Sequence, residues 1–142
     1  EAGLCLYGHD LDETITPVEA DLSWTVARKY RNGSEPAGFP GAEIILEQLR
    51  QGPGRIRRGF RPEGKIPVRE GTMILDSNGA KAGIITSGGY GATIGGPVAM
   101  GYVSNTPENN TEYRVEIRKH QHRLLSVELP FVKHRYYSRK TG

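Results

Sequence analysis

The sequence predicts a mixed α+β segment followed by an all-β barrel or jelly-roll domain. Apolar residues after Pro40 recur at helical spacing and stop at Gly52-Pro53-Gly54, a combination that ends helices. From Arg55 onward, apolar residues fall in short segments separated by glycine and proline, as in small antiparallel barrels. We therefore predict a first unit over residues 1–52 and a second, all-β unit over residues 53–142.

The first unit contains two helix signals. Thr16 can cap a helix whose first turn tolerates Pro17, so we expect a short helix that runs into a strand. The stronger signal follows Pro40, where the apolar side chains share one helical face. These side chains are Ile44, Ile45, Leu46 and Leu49.

Three features of the second unit indicate antiparallel strands. Asn78-Gly79 lies between two apolar runs and can supply the positive φ values of a hairpin turn. Residues 98–103 form a further apolar strand. Residues 113–117 alternate apolar and charged side chains, and the same pattern returns after a turn that we place at His120–His122.

Composition bounds the function only loosely. The net charge of +3 and the pI near 9.1 are compatible with nucleic acid, an acidic protein or an anionic small molecule as partner. The single Cys5 excludes an internal disulfide and fits a reducing compartment. No apolar run approaches the length of a membrane span. The chain opens without methionine in an apolar stretch, so we expect a fragment of a larger protein.

Three clusters have residue types that could support chemistry, but a simpler interpretation is favoured for each. His120 and His122 lack the additional ligands that structural zinc needs, which favours a solvated turn. The stretch Gly88–Gly96 lacks the P-loop and dinucleotide spacings, which favours a connection between strands. The basic run has too few aromatic neighbours for a nucleic-acid surface, which favours a solvated strand face or a docking patch for an acidic partner. It consists of Arg55, Arg57, Arg58 and Arg61.

Several motifs resemble those of the glycine cleavage T-protein family, in the same order along nearly the whole chain. They are Glu1–Gly8, Asp10 with Asp12-Glu13, Thr16–Glu19, Leu22–Thr25, Phe39–Ala42, Pro67–Arg69, Gly83–Gly88, Ala99–Val103, and Pro130–Val132 with Tyr136-Tyr137. The resemblance implies that residues 1–52 are the last part of the family's folate-binding region. It also implies that residues 53–142 are the family's C-terminal β-barrel domain.

The resemblance implies an aminomethyltransferase of the glycine cleavage system. Members of the family pass the methylene of an aminomethyl group, carried on the lipoyl arm of the H-protein, to tetrahydrofolate and release ammonia. The implied partners are the lipoylated H-protein, tetrahydrofolate and the N-terminal part of the same protein, with no metal, nucleic acid or membrane. The motifs are close to those of eukaryotic forms, which act in the mitochondrial matrix, whereas a bacterial form would act in the cytoplasm.

The resemblance also assigns site residues. The family's catalytic aspartate lies upstream of Glu1, so no catalytic residue is assigned and the isolated chain is expected to be inactive. Glu1 matches the glutamate that binds the folate pterin, and an ionised carboxylate can accept both a ring N–H and an exocyclic amine. Tyr136 matches a tyrosine that contacts the same ligand. For an arginine that follows Trp24 in the family, a gapless count gives Tyr30, and we choose Arg31 beside it.

Two other functions remain open from the sequence. One is the T-protein-like folate domain of a dimethylglycine or sarcosine dehydrogenase relative, which would have a flavin-binding domain upstream. The other is a non-catalytic nucleic-acid-binding β-barrel module, suggested by the basic run. Titration with oligonucleotides at low and physiological salt distinguishes the second, because such binding depends steeply on salt.

Overall fold

The strands of the second unit close into an antiparallel barrel. A computed structural model describes residues 1–105 and 112–135 of the chain. Its strands are β1 (Arg55–Pro62), β2 (Met73–Leu75), β3 (Lys81–Gly91), β4 (Gly96–Ser104), β5 (Glu112–Ile117) and β6 (His120–Val127). They follow the order β1-β4-β3-β2-β5-β6, and pairing of β1 with β6 closes the barrel. The predicted all-β barrel is confirmed, and the structure selects it over a jelly roll.

One hydrophobic cluster fills the barrel. Its buried members are Phe60, Val68, Ile74, Ile85, Ala99, Val103, Tyr113, Val115 and Leu124. On β5 the buried Tyr113 and Val115 alternate with exposed Arg114 and Glu116, as the sequence pattern predicted. The rings of Phe60 and Tyr113 meet edge to face with centroids 5.8 Å apart. This cluster is the main apolar contribution to the stability of the barrel.

The hairpin predicted at Asn78-Gly79 is confirmed, but its turn differs from the expected one. Gly79 has a φ of 82°, whereas Asn78 is not among the residues with positive φ. The Asp76 carboxylate instead accepts hydrogen bonds from the backbone N–H groups of Asn78 and Ala80, both at 2.8 Å. A side chain therefore closes this turn, together with one glycine.

The turn predicted at His120–His122 was wrong by two residues. Arg118 and Lys119 form the turn between β5 and β6, with φ values of 52° and 67°. Paired positive φ values match the right-handed twist of the flanking strands, although glycine or asparagine usually occupies such positions. The two histidines belong to β6, where His120 pairs with Ile117.

The helix predicted after Pro40 is confirmed. Helix α2 spans Ala42–Gln51, after a 3-10 turn η1 (Ser23–Thr25) and a short helix α1 (Arg28–Arg31). Gly52 ends α2 with a φ of 87° and donates its N–H to Gln48. Within the described ranges, no helix has the length and apolar character to cross a membrane.

The helix and strand predicted after Thr16 were wrong. Thr16 does act as a cap, because its hydroxyl accepts the Glu19 N–H while the Glu19 carboxylate accepts the Thr16 N–H. The segment forms only one turn, since Asp21 takes a φ of 57° that a helix cannot continue. The 3-10 turn and α1 follow where the strand was expected.

Buried Arg57 of β1 joins the barrel to the first unit. Its guanidinium donates to the carbonyl oxygens of Ala20 at 2.8 Å and Gly3 at 2.9 Å. Its backbone N–H donates to the Glu19 carbonyl oxygen, also at 2.8 Å. Arg57 thus makes three hydrogen bonds, two from its side chain and one from its backbone. They hold residue 3 and residues 19–20 of the first unit on β1.

Buried Asp10 makes a second connection. Its carboxylate accepts from the Thr86 hydroxyl at 2.6 Å and from the Leu6 N–H at 3.0 Å. Its carbonyl oxygen accepts from the Tyr102 hydroxyl, and burial raises the pKa of that phenol. The phenol therefore stays protonated and keeps donating across the physiological pH range.

Candidate functional site

A cavity of about 370 Å³ lies beside the first residues of the chain. Residues 1–4 form one wall, residues 87–91 of β3 and 98–100 of β4 form another, and Phe131 contributes from the C-terminal segment. Strand β3 is rich in glycine here, so its backbone lies directly at the cavity surface. The cavity is therefore built jointly by the first unit and the barrel.

Hydrogen bonds to the backbone hold the wall formed by the first residues. The Val132 N–H donates to the Glu1 carbonyl oxygen at 3.3 Å. His134 Nε2 donates to the Ala2 carbonyl oxygen at 2.8 Å, and Arg57 holds the next carbonyl along the chain. The wall is thus fixed between β1 and the segment that follows β6.

The Glu1 carboxylate is bound by the turn between β3 and β4. Its Oε1 accepts the backbone N–H of Thr93 at 2.8 Å and that of Ile94 at 2.9 Å. The Ile94 hydrogen bond is the main cause that holds the pKa of the Glu1 carboxyl below its ordinary value. The side chain is therefore ionised at neutral pH, at the edge of the cavity.

The stretch Gly88–Gly96 was predicted to connect strands, and this is confirmed only for residues 92–95. It consists of the end of β3, a turn over residues 92–95, and the first residue of β4. No sequence pattern indicated that this turn binds Glu1. The contact depends on glycine at position 91, because a β-carbon there would lie 2.9 Å from Glu1 Oε1.

The other two folate-contact predictions are not joined to Glu1 by the described contacts. Arg31 lies on α1 and donates from Nε to the Val26 carbonyl oxygen at 2.8 Å. Within residues 1–105 and 112–135, no hydrogen bond or ion pair links Arg31 with Glu1. Tyr30, the alternative position, packs on the hydrophobic cluster of the first unit. Tyr136 lies outside the described residues, so its role stays a prediction.

The basic run is not a uniform solvated face, which corrects the sequence interpretation. Arg57 is buried, and the half-buried Arg55 forms an ion pair with Glu19 at 3.1 Å. Arg58 and Arg61 are exposed, as predicted for a solvated strand. Half of the run therefore serves internal contacts, which leaves a smaller basic surface than the sequence suggested.

The two histidines and the single cysteine do not form a reactive or metal-binding group among the described residues. His120 is exposed at the first position of β6, and His122 is half-buried. In the part of the chain that the structure describes, no three His, Cys, Asp or Glu side chains group closely enough to hold a metal ion. Cys5 is half-buried, and burial raises the pKa of its thiol. That thiol is mainly protonated at neutral pH and is a weak nucleophile.

The barrel residues match a known protein family. Residues 55–133 match the family model of the glycine cleavage T-protein C-terminal barrel domain, which is more than half of the chain. The chain belongs to the glycine cleavage T-protein family. This confirms the resemblance seen in the motifs of the barrel.

Longer members of the T-protein family resemble the chain over almost its whole length. It is 44% identical to the mitochondrial aminomethyltransferase of Gallus gallus over 99% of this chain and 35% of the relative. It is 42% identical to the mitochondrial enzyme of Homo sapiens over 99% of this chain and 34% of the relative. The crystal structure of glycine cleavage system aminomethyltransferase T from Bartonella henselae superimposes with a TM-score of 0.86 at 41% identity, covering 96% of this chain and 37% of that one. The chain thus spans about a third of the length of these relatives.

Proposed function

We propose that the chain is the C-terminal portion of an aminomethyltransferase of the glycine cleavage system. In the proposed reaction, the complete protein accepts an aminomethyl group carried on the lipoyl arm of the H-protein. The methylene passes to tetrahydrofolate, the nitrogen leaves as ammonia, and the lipoyl arm returns to its dithiol form. Family membership and the aminomethyltransferase names of the relatives support this reaction.

The ionised Glu1 carboxylate beside the cavity is the observation that best supports a folate site. A carboxylate offers about four acceptor positions, and the turn between β3 and β4 uses two of them on Oε1. We propose that Oε2 receives the pterin ring N–H and exocyclic amine. Arg31 and Tyr136 are the further folate contacts that we propose from the family resemblance.

We propose that residues 1–52 complete a folate-binding region whose larger part lies upstream, and that residues 53–142 are the barrel domain. The catalytic aspartate would belong to the upstream part. Leu4, Leu6 and Tyr7 expose 67%, 61% and 73% of their surfaces, although they are apolar and adjacent. Such a patch fits a surface that the upstream part of the same protein covers.

The other proposed properties follow from the family. The protein partner is the lipoylated H-protein, tetrahydrofolate is the acceptor substrate, and neither a metal nor nucleic acid takes part. We propose the mitochondrial matrix as the compartment, supported by the mitochondrial names of the eukaryotic relatives. A bacterial protein would act in the cytoplasm.

Replacing Glu1 by glutamine tests the folate site. In the complete protein we expect Glu1→Gln to weaken tetrahydrofolate binding by about tenfold or more, because hydrogen bonds to a charged acceptor are the stronger kind. Isothermal titration calorimetry measures the change. Glu47→Gln, on the exposed face of α2, is the matched control and should bind as the wild type does. Unchanged affinity in Glu1→Gln would remove Glu1 from the site.

The isolated chain tests the position of the catalytic group. We expect no measurable aminomethyl transfer from residues 1–142 alone, since the proposed catalytic aspartate lies upstream. The assay follows ammonia release from aminomethylated H-protein in the presence of tetrahydrofolate, with the complete protein as positive control. Robust turnover by the isolated chain would show that no upstream residue is needed.

A further inference from the structure

We infer that the β3–β4 turn, residues 92–95 of the barrel, positions the Glu1 carboxylate for a ligand in the cavity. The inference rests on the proposed function, in which Glu1 binds the pterin. Thr93 and Ile94 are the positioning residues, and they act through their backbone N–H groups. The barrel would then set the direction of a binding group that belongs to the first unit.

The geometry fixes one carboxylate oxygen in place. Thr93 and Ile94 both donate to Oε1, across 92 and 93 residues of sequence. A free glutamate side chain samples many rotamers, and the entropy lost by ordering it on binding opposes affinity. Two donors already hold Oε1 before a ligand arrives. The entropy of the side chain is therefore lost when the protein folds and not when the ligand binds. Oε2 is then left with its acceptor positions for the ligand.

The donors are themselves held by the hairpin. The Gly95 N–H donates to the Gly91 carbonyl oxygen at 2.8 Å, which closes the turn. The Tyr90 hydroxyl donates to the Gly95 carbonyl oxygen at 2.8 Å, which ties the same residue to β3. The direction of the Thr93 and Ile94 N–H groups is therefore set by the barrel and not by their side chains.

Glycine at position 91 leaves the space that the carboxylate uses. A β-carbon at Gly91 would lie 2.9 Å from Oε1 and 3.1 Å from Cγ of Glu1. Gly91 does not have a left-handed φ, so its backbone can accept alanine. The atoms that must move belong to the end of a flexible side chain. Gly91→Ala therefore displaces the Glu1 carboxylate while leaving the barrel able to fold.

The first test compares Gly91→Ala with Gly54→Ala in the complete protein. A β-carbon at Gly54 meets nothing within 4 Å, and its φ is also outside the left-handed region. We expect Gly91→Ala to raise the Kd for tetrahydrofolate about tenfold, equivalent to losing one hydrogen bond to a charged group. Gly54→Ala should retain the wild-type Kd, and both variants should retain the wild-type melting temperature. Wild-type affinity in a folded Gly91→Ala variant would overturn the inference.

The pH dependence of tetrahydrofolate affinity provides a second test, because a general packing defect would not change the pH at which affinity falls. The turn lowers the pKa of Glu1, so the ionised carboxylate and its contacts are lost only as the pH falls through that lowered value. When Gly91→Ala displaces the carboxylate from the turn, the pKa should rise toward that of an ordinary glutamate. We expect tetrahydrofolate affinity to fall at a higher pH in Gly91→Ala than in the wild type. Identical pH profiles would contradict a positioning role.

Backbone amide shifts test the contact without folate. In the complete wild-type protein, the NMR amide signals of Thr93 and Ile94 should titrate with the Glu1 carboxyl, and in Glu1→Gln they should not. Absence of this titration in the wild type would overturn the inference even if Gly91→Ala failed to fold. Retained folate affinity in Glu1→Gln would instead overturn the proposed role of Glu1 in folate binding. Failure of the proposed function and failure of the positioning inference are therefore detected with different variants.

Discussion

At the residue scale, Arg57 shows how far a local pattern can mislead. In the sequence it is one of four arginines in a run, and nothing adjacent distinguishes it from Arg58. In the structure it is 5% exposed, because the first unit covers this side of β1. The acceptors belong to Gly3 and Ala20, far away in sequence, and no periodicity within the run could have predicted them.

We expect Arg57→Met to destabilise the chain by about 2–4 kcal/mol, since it leaves the buried Ala20 carbonyl oxygen and the half-buried Gly3 carbonyl oxygen without this donor. Urea denaturation followed by circular dichroism measures the free energy of unfolding. Arg58→Met is the matched control on the same strand and should change stability by no more than about 0.5 kcal/mol, because Arg58 is exposed. Equal effects of the two substitutions would mean that the Arg57 contacts contribute nothing specific.

At the element scale, elements with a local signal were predicted well. Helix α2 has its apolar face and its glycine stop within ten residues, and the β2–β3 hairpin has its turn residues in place. Strand β3 was predicted only for its apolar part, because Gly88, Gly89 and Gly91 have low strand propensity. Position 88 requires glycine because other backbone passes close to it. At Gly88, the Val68 carbonyl oxygen would lie 2.2 Å from a β-carbon.

Two adjacent glycines of β3 provide a matched test of this close approach. We expect Gly88→Ala to destabilise the barrel by about 2 kcal/mol or more, since the clash is with backbone that cannot rotate away. A β-carbon at Gly89 meets nothing within 4 Å, so Gly89→Ala should be neutral or slightly stabilising. Thermal unfolding of both variants decides the question. A Gly88→Ala variant as stable as Gly89→Ala would refute the close approach as the reason for glycine.

At the scale of the whole molecule, the barrel class was predictable but its strand order was not. Alternating patterns indicate strands, yet the order β1-β4-β3-β2-β5-β6 depends on pairs such as Gly59 with Val127. The attachment of the first unit to the barrel could not be predicted from the sequence either, because it depends on the polar contacts of buried Asp10 and Arg57. For the candidate site, family resemblance supplied Glu1, whereas its contact with the turn required the assembled fold.

These contacts predict that the first unit and the barrel unfold together. The Leu22 N–H donates to the Pro17 carbonyl oxygen in the first unit. Native-state hydrogen exchange should give this amide an opening free energy close to that of the β4 amides, which exchange only when the whole chain unfolds. In Arg57→Met the two values should separate, with the Leu22 amide exchanging first. Separate opening of the first unit in the wild type would contradict this coupling.

The position of the C-terminal segment has a consequence for synthesis. A ribosome releases the first residues long before the last strand, and chains begin to fold in that order. Residues 1–3 are bound by β1, by the β3–β4 turn and by Val132 and His134. The nascent chain can therefore complete the contacts of residues 1–3 with Val132 and His134 only after β6 has emerged and closed the barrel. The cavity is the last part of this portion to form, so premature termination before β6 removes the site together with the fold.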